Sequence, residues 1–362
     1  MALDEKGSIP QDLKLEEWKV QVAGREVVVK NVQSPRVTGA MAQNWVLVFE
    51  PILDPSYRIS AFQAAAQFLV NLPEGDQVLI VGRTKEGLMP FTPGLTLDRS
   101  TWVKALGKLP SLLSNEFNGS PGVLSPSLSE VKPGEPLAMP LNREALFAEF
   151  KGFISALPKA IAESPYNQVD PKGVKPLDRL GFDSPNTVRA TLSIISAEMK
   201  SLELLISALG KLQGPSHCVV FSRNDADTFT HPSVRAAMGQ KFTRTRGDDG
   251  GPKESAELAN RDMKTNQESL RKICLNSGIT LHSVAGNGVA YKGNLGSVAE
   301  ATGGFAFVFD GQMQVRVGQG LQAFASRYRL TWEETMPAAV GFQDLSIKSS
   351  KPGLTLMFPS QR

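Results

Sequence analysis

The chain has 362 residues, of which 41% are hydrophobic and 21% are charged, close to average globular usage. This composition excludes a disordered, coiled-coil or collagen-like chain, and the length predicts one large domain with a smaller module. The formal net charge is only +3, and acidic and basic residues are interspersed, so the sequence has no feature typical of nucleic-acid binding.

The predicted elements begin with a hairpin, because residues 18–32 are rich in β-forming residues on either side of Ala23-Gly24. Further along, short apolar runs typical of buried parallel strands occur at 45–49, 78–81, 218–221, 279–284 and 305–309. Helical spacing of apolar residues lies between them, at 59–72, 102–113, 187–212, 255–276, 295–302 and 315–325. The alternation predicts βαβ units with right-handed crossovers.

Two further stretches interrupt or follow this alternation. Residues 114–185 are rich in Ser, Pro and Gly at both ends, which indicates an insertion between core elements. Three short β runs, at 328–332, 345–349 and 354–358, close the chain. We expect them to pair with the N-terminal hairpin in a small antiparallel module, because each group alone has too few strands to be stable.

These elements predict an α/β protein, a three-layer sandwich of Rossmann-like type with a mainly parallel central sheet. The expected divisions are an N-terminal β segment at 1–40, an α/β domain at 41–325 and a C-terminal β segment at 326–362. Residues 1–19 lack the apolar run of a signal peptide, and no stretch of the sequence reaches membrane-spanning length. Cys218 and Cys274 are predicted to be buried thiols, with a disulfide as the alternative.

The sequence resembles von Willebrand factor type A-related proteins of acidobacterial type over nearly its whole length, apart from the 114–185 insertion. The matching phrases are LEEW at 15–18, VQVAGR at 20–25, VLVF at 46–49, LPEGDQV at 72–78, AEATGG at 299–304, YRLT at 328–331, SIK at 346–348 and KPGL at 351–354. The resemblance implies a type A fold, and it favours a secreted or periplasmic protein, although the sequence itself leaves the location open.

A type A domain binds Mg²⁺ at the carboxyl edge of its sheet through oxygen ligands, and the resemblance places the corresponding positions in this chain. The first turn reads Glu50-Pro51-Ile52-Leu53-Asp54, so an apolar Ile52 stands where the family has a hydroxyl. Thr187 corresponds to the ligand threonine, but Arg223 stands where the family has an aspartate, and a guanidinium cannot ligate a cation. We therefore expect a degenerate metal site.

Two arrangements of this edge remain open. Arg223 replaces the metal by pairing with Glu50, or the two charges point separately into solvent. The remaining oxygen-bearing side chains near the predicted edge are Asp54, Ser56, Asp225 and Asp227, either as ligands of a rearranged site or as solvated loop residues.

The expected function is protein binding through the loops at this edge, without an ion or cofactor and without catalysis. The expected partner is another protein, and neither nucleic-acid binding nor a membrane-spanning segment is expected. An enzyme using the same edge and an envelope scaffold are the alternatives. Gly286-Asn287-Gly288 lacks the third glycine of a dinucleotide loop, and the three histidines do not have metal-ligand spacing. Arg246-Gly247-Asp248 is interpreted as a chance occurrence of the adhesion tripeptide.

Overall fold

The computed structural model describes residues 2–3, 10, 12–34, 42–50, 55–84, 87–113, 199–212, 214–222, 251–285, 293–308, 317–318, 320–321, 324, 327–333, 343–356 and 358–359. Within these ranges the first strands are β1 (Ala2–Leu3), β2 (Trp18–Val22), β3 (Arg25–Val27), β4 (Val29–Gln33), β5 (Asn44–Phe49), β6 (Gln77–Thr84) and β7 (Gly87–Pro90). The later strands are β8 (Ser216–Ser222), β9 (Ile279–Ala285), β10 (Ala306–Val308), β11 (Arg329–Trp332), β12 (Leu345–Ser349) and β13 (Thr355–Leu356).

The described helices are α1 (Pro55–Val70), α2 (Arg99–Leu113), α3 (residues 199–209), α4 (Gly251–Asn276) and α5 (Gly293–Ala301). Helix α1 begins at Pro55, a residue preorganised for the first helical position. Helix α2 begins after Asp98, whose carboxylate accepts hydrogen bonds from the Ser100 backbone N–H and the Thr101 hydroxyl. Gly278, with φ of +65°, follows the end of α4 in the left-handed conformation that glycine adopts without strain.

Six strands form one mixed sheet in the order β10-β9-β8-β5-β6-β7. All neighbouring pairs are parallel except β6 with the edge strand β7, which is antiparallel. The expectation of an α/β fold with a mainly parallel sheet is therefore confirmed. Counted along the chain from β5, the order from the β7 edge is 3-2-1-4-5-6, and the direction of winding changes between β5 and β8.

Strand β5 lies in the centre of this sheet, and every residue in it is buried. Trp45, Leu47 and Phe49 contribute to one apolar cluster, together with side chains of α1 and α2. Val46 and Val48 contribute to a second cluster with side chains of α3, α4 and α5. Alternate residues of a strand point to opposite faces of the sheet, so β5 contributes to an apolar core on each face. Burial on both faces explains the uninterrupted apolar run of β5.

The two ends of the chain meet in antiparallel sheets apart from the main sheet. Strand β2 lies between β12 and β3, β4 pairs with β11, and β1 pairs with β13. The β2–β3 turn is Ala23-Gly24, with φ of 50° and 76°, as a two-residue hairpin of this twist requires. The expected pairing of the chain ends is confirmed, but the strands form three short sheets around one core that includes Trp18, Val20 and Tyr328.

Two strands were not predicted from the sequence. Strand β7 has only the four residues GLMP, too few to show an alternating pattern, and it forms because the chain turns back along β6. Strand β1 is a two-residue pairing with β13. Helices α1 and α4 each begin four residues earlier than predicted. In the described part of the chain, no helix combines the length and the apolarity needed to cross a membrane.

Candidate functional site

The carboxyl edge of the main sheet is the place where the sequence predicted a site. Glu50 follows β5 directly, and its backbone N–H donates to the carbonyl of Phe221 in β8, 3.0 Å away. The strand order reverses between these two strands, and ligands of open α/β sheets bind at such a point. Glu50 is therefore at the end of the strand nearest to a candidate binding crevice.

Glu50 is buried and forms an ion pair with Arg83 of β6. The Nη2 and Nε atoms of Arg83 lie 3.3 and 3.4 Å from the same oxygen, Oε1 of Glu50. Both side chains are only 4% exposed. The register explains the contact, because Phe49 is opposite Gly82 in the parallel ladder, so the next residues of the two strands are neighbours. The negative charge of Glu50 is thus balanced within the fold.

Helix α1 is tied to the same edge through Tyr57. The buried Tyr57 Oη lies 2.7 Å from the carbonyl oxygen of Val284 and 3.0 Å from that of Ser222, at the ends of β9 and β8. The Ser222 hydroxyl donates to the same Val284 carbonyl, at 3.2 Å. The Tyr57 and Ser222 hydroxyl groups satisfy backbone carbonyls at the strand ends. They therefore hold the carboxyl edge of the sheet in place.

Glu50 alone among the predicted site residues has a described side chain. The backbone of Ser56 lies in the first turn of α1. The other five lie outside the described residues: Asp54, Thr187, Arg223, Asp225 and Asp227. The predicted pairing of Glu50 with Arg223 therefore stays a prediction, and Arg83 is a partner that the sequence analysis missed. The missed signal was the continuation of the strand beyond Val81, which puts Arg83 beside Glu50.

At the amino end of the same strands, two histidines that the sequence analysis dismissed as metal ligands are buried side by side. His217 Nδ1 lies 3.2 Å from His282 Nε2, and neither residue is exposed. Trp45 stacks on His217, with ring centroids 4.2 Å apart. Among the described residues, no group of three His, Cys, Asp or Glu side chains is arranged to hold a metal ion.

The hydrogen bonds fix the protonation state of this pair. The Phe305 backbone N–H donates to His282 Nδ1, so the hydrogen of neutral His282 lies on Nε2 and is donated to His217. His217 in turn carries its hydrogen on Nε2, 2.9 Å from the Gln43 side-chain oxygen. Burial, with a smaller contribution from the Arg327 charge, lowers the pKa of His282 to about 3 and that of His217 well below its usual range. Both rings are neutral at pH 7.

Asp76 supports this arrangement from the loop before β6. Its two carboxylate oxygens accept hydrogen bonds from the Gln43 backbone N–H at 3.0 Å and the Trp45 indole N–H at 2.9 Å. Burial raises the pKa of Asp76 to about 6, although these two hydrogen bonds act in the opposite direction. The predicted buried thiols are confirmed, since Cys218 and Cys274 are both free and buried, and burial raises the pKa of Cys274 to about 12.

Comparison with known proteins adds little to this geometry. No family model matches the chain, and no curated protein matches it. Among solved structures, the chain is similar to the human COPII-coat protein Sec24c with 10% sequence identity and a TM-score of 0.31. The similarity covers 79% of this chain and 32% of that protein, so the chain spans about a third of its length. At this TM-score the likeness carries no argument about fold family or function.

Proposed function

We propose that the chain is a protein-binding module with a three-layer fold of von Willebrand factor type A kind. It uses the loops at the carboxyl edge of its main sheet and requires no divalent ion there. The resemblance of the sequence phrases supports the family. The strand order of a doubly wound sheet and the apolar cores on both of its faces support the architecture.

The observation that carries the proposal is the buried ion pair of Glu50 and Arg83. In a type A metal site, the metal ion balances the negative charge of a carboxylate at this strand end. Because the Arg83 guanidinium already balances it, the charge of Glu50 needs no metal ion. Arg223, which follows β8 in the sequence, was expected to pair with Glu50 in place of the metal, and that pairing stays a prediction.

The described polar groups of the edge favour binding over catalysis. Tyr57 and Ser222 are engaged with backbone carbonyls, and Glu50 is engaged with Arg83. A nucleophile or general base has to be within reach of a substrate, whereas the Tyr57, Ser222 and Glu50 side chains are engaged in contacts within the fold. The loops at the carboxyl edge of the sheet are then the part of the chain that contacts a partner.

The test is affinity capture with the full chain from a lysate of the organism that produces it, once with Mg²⁺ and once with EDTA. We expect the same protein to be retained in both conditions, and to be lost when Asp54→Arg and Asp225→Arg are combined. The exposed Arg25→Gln, on β3 in the antiparallel module, is the matched control and should retain it. Retention that requires Mg²⁺, or retention unaffected by the loop substitutions, contradicts the proposal.

A further inference from the structure

A cavity of about 380 Å³ lies between the amino edge of the main sheet and the antiparallel module. On the side of the sheet it is lined by the end of α4 and the start of β9, including Leu275 and Ile279. On the side of the module it is lined by residues of β2, β11, β12 and β13, including Leu330 and Ile347. Ile279 begins β9, whereas Glu50 follows the end of β5, which runs parallel to β9 in the same sheet. The cavity is therefore at the opposite end of the sheet from the proposed binding edge.

Aromatic rings form a large part of the cavity wall, and they belong to Trp18, Phe324, Tyr328, Trp332 and Phe358. The Tyr328 hydroxyl donates to the Pro10 carbonyl at 2.8 Å and accepts from the Leu13 N–H at 2.9 Å. Phe324 is only 1% exposed, and its ring meets the Phe305 ring edge-on, with centroids 4.6 Å apart. These contacts hold the rings in position, so the aromatic wall is preformed.

The polar side chains of the described lining are engaged within the fold. The Thr280 hydroxyl accepts from Arg327 Nη1 at 3.3 Å, and the Thr302 hydroxyl is hydrogen-bonded to backbone groups of β9 and α5. Arg327 and Arg329 both have further interactions within the chain. Burial raises the pKa of Cys274 to about 12, so its thiol is uncharged at pH 7. Contact with a ligand is therefore left mainly to the apolar and aromatic walls.

We propose that this cavity binds a small, uncharged aromatic molecule through apolar contact and ring packing. A preformed cavity of this volume with apolar and aromatic walls is typical of sites for small organic molecules. A charged ligand would lose its hydration on entry without gaining a dedicated partner. Packing between aromatic rings adds to the free energy of apolar burial, and so it favours an aromatic over a saturated ligand. This site goes beyond the proposed protein-binding function and does not depend on it.

The test follows the fluorescence of N-phenyl-1-naphthylamine, an uncharged probe whose emission rises in apolar surroundings, during titration with the full chain. We expect saturable binding at one site per chain. The matched charged probe is 8-anilinonaphthalene-1-sulfonate, which has the same aromatic groups and an added sulfonate. It should bind at least about tenfold more weakly, because the sulfonate would lose its hydration in the cavity.

Competition against the uncharged probe tests the preference for an aromatic ligand. Naphthalene should displace the probe. Decahydronaphthalene has the same carbon skeleton without aromatic rings, and it should displace the probe about two- to tenfold more weakly, because it lacks the ring packing.

Variants that fill the cavity assign the binding to it. Leu330→Trp places a larger side chain in the wall and should weaken binding of the uncharged probe at least about tenfold. Thr331→Trp is the matched control, because Thr331 is exposed and is not among the described lining residues, and it should bind like the unmodified chain. If circular dichroism shows that Leu330→Trp does not fold, Ile347→Trp fills the cavity from β12, and the comparison of the two probes still decides.

Three results overturn the proposal: no saturable binding of the uncharged probe, equal or tighter binding of the sulfonate, or unchanged binding by a folded Leu330→Trp or Ile347→Trp variant. Equal or stronger displacement by decahydronaphthalene overturns the aromatic ligand class. None of these results bears on the carboxyl edge, whose test uses different variants and a protein partner.

Discussion

At the scale of single residues, Glu50 and Arg83 are charges of opposite sign that are both withdrawn from water. Removing one member of a buried ion pair leaves the other without compensation. We therefore expect Arg83→Met to lower the free energy of unfolding by about 3 to 5 kcal/mol, measured by urea denaturation at pH 7.

The double variant Glu50→Leu with Arg83→Met is the control for this effect. It removes both charges and keeps apolar volume, so it should recover most of the stability that Arg83→Met loses. A single variant that is as stable as the unmodified chain would show that the pair contributes little to holding the edge.

The buried histidines predict a second property at this scale, which is a loss of stability in acid. The folded-state pKa of His282, about 3, lies below the ordinary value of 6.5, and that of His217 is lowered too. The unfolded chain therefore binds more protons below pH 6.5, and stability present at pH 7 is lost as the pH falls below 6.5. Asp76 acts in the opposite sense between its ordinary pKa of 3.8 and about 6, because the folded state holds its proton more tightly.

The measurement compares the unmodified chain with His282→Gln, whose amide can accept from Phe305 and donate to His217. Between pH 7 and pH 5, His282→Gln should lose about 2 kcal/mol less unfolding free energy than the unmodified chain, since one titrating ring is gone. Asp76 and the surface carboxylates titrate in both proteins, so their contributions to the pH dependence of the unfolding free energy cancel in the comparison. Equal losses in the two proteins would mean that His282 is not held neutral.

At the scale of elements, the connection from α5 to β10 depends on close backbone packing at Gly304. A Cβ atom added there would overlap the carbonyl oxygen of Leu281 in β9. Gly304→Ala should therefore lower the unfolding free energy by about 3 kcal/mol, because neither backbone can move without disturbing the sheet. Thermal denaturation followed by circular dichroism measures it.

Gly318→Ala is the matched control for this substitution. It lies in a helical segment, and its added Cβ would contact the flexible Gln67 side chain at 3.4 Å. Ala also favours helix over Gly, so this variant should be neutral or slightly more stable. A Gly304→Ala protein as stable as Gly318→Ala would contradict the packing argument.

The elements that the sequence predicted are those whose burial can be inferred from their amino-acid composition. Strand β5 is apolar throughout because both of its faces are covered, so WVLVF at 45–49 was recognisable without a structure. Strand β7 was not, because its four residues pair as an edge strand and need no pattern of their own. The end of β6 was missed because Gly82-Arg83 reads as a loop once the apolar run stops, although the strand continues to Thr84.

At the scale of the whole molecule, the sequence predicted the edge of the sheet at which polar side chains lie, but not which of these side chains contact each other. Glu50 was identified because the resemblance places it at the first acid of the family's metal site, directly after the strand at 45–49. Its partner was not, because Arg83 lies 33 residues away and is brought close by the register of β5 and β6. The buried contact of His217 with His282, 65 residues apart, was missed for the same reason.

The central claim about the whole molecule is that its carboxyl edge works without a divalent ion, and the most direct test is titration calorimetry of the unmodified full chain with Mg²⁺ and with Mn²⁺. The account predicts no saturable binding up to millimolar concentration and the same melting temperature with and without EDTA. Micromolar binding of either ion, or a melting temperature that EDTA lowers in the unmodified chain but not in Glu50→Gln, would contradict it.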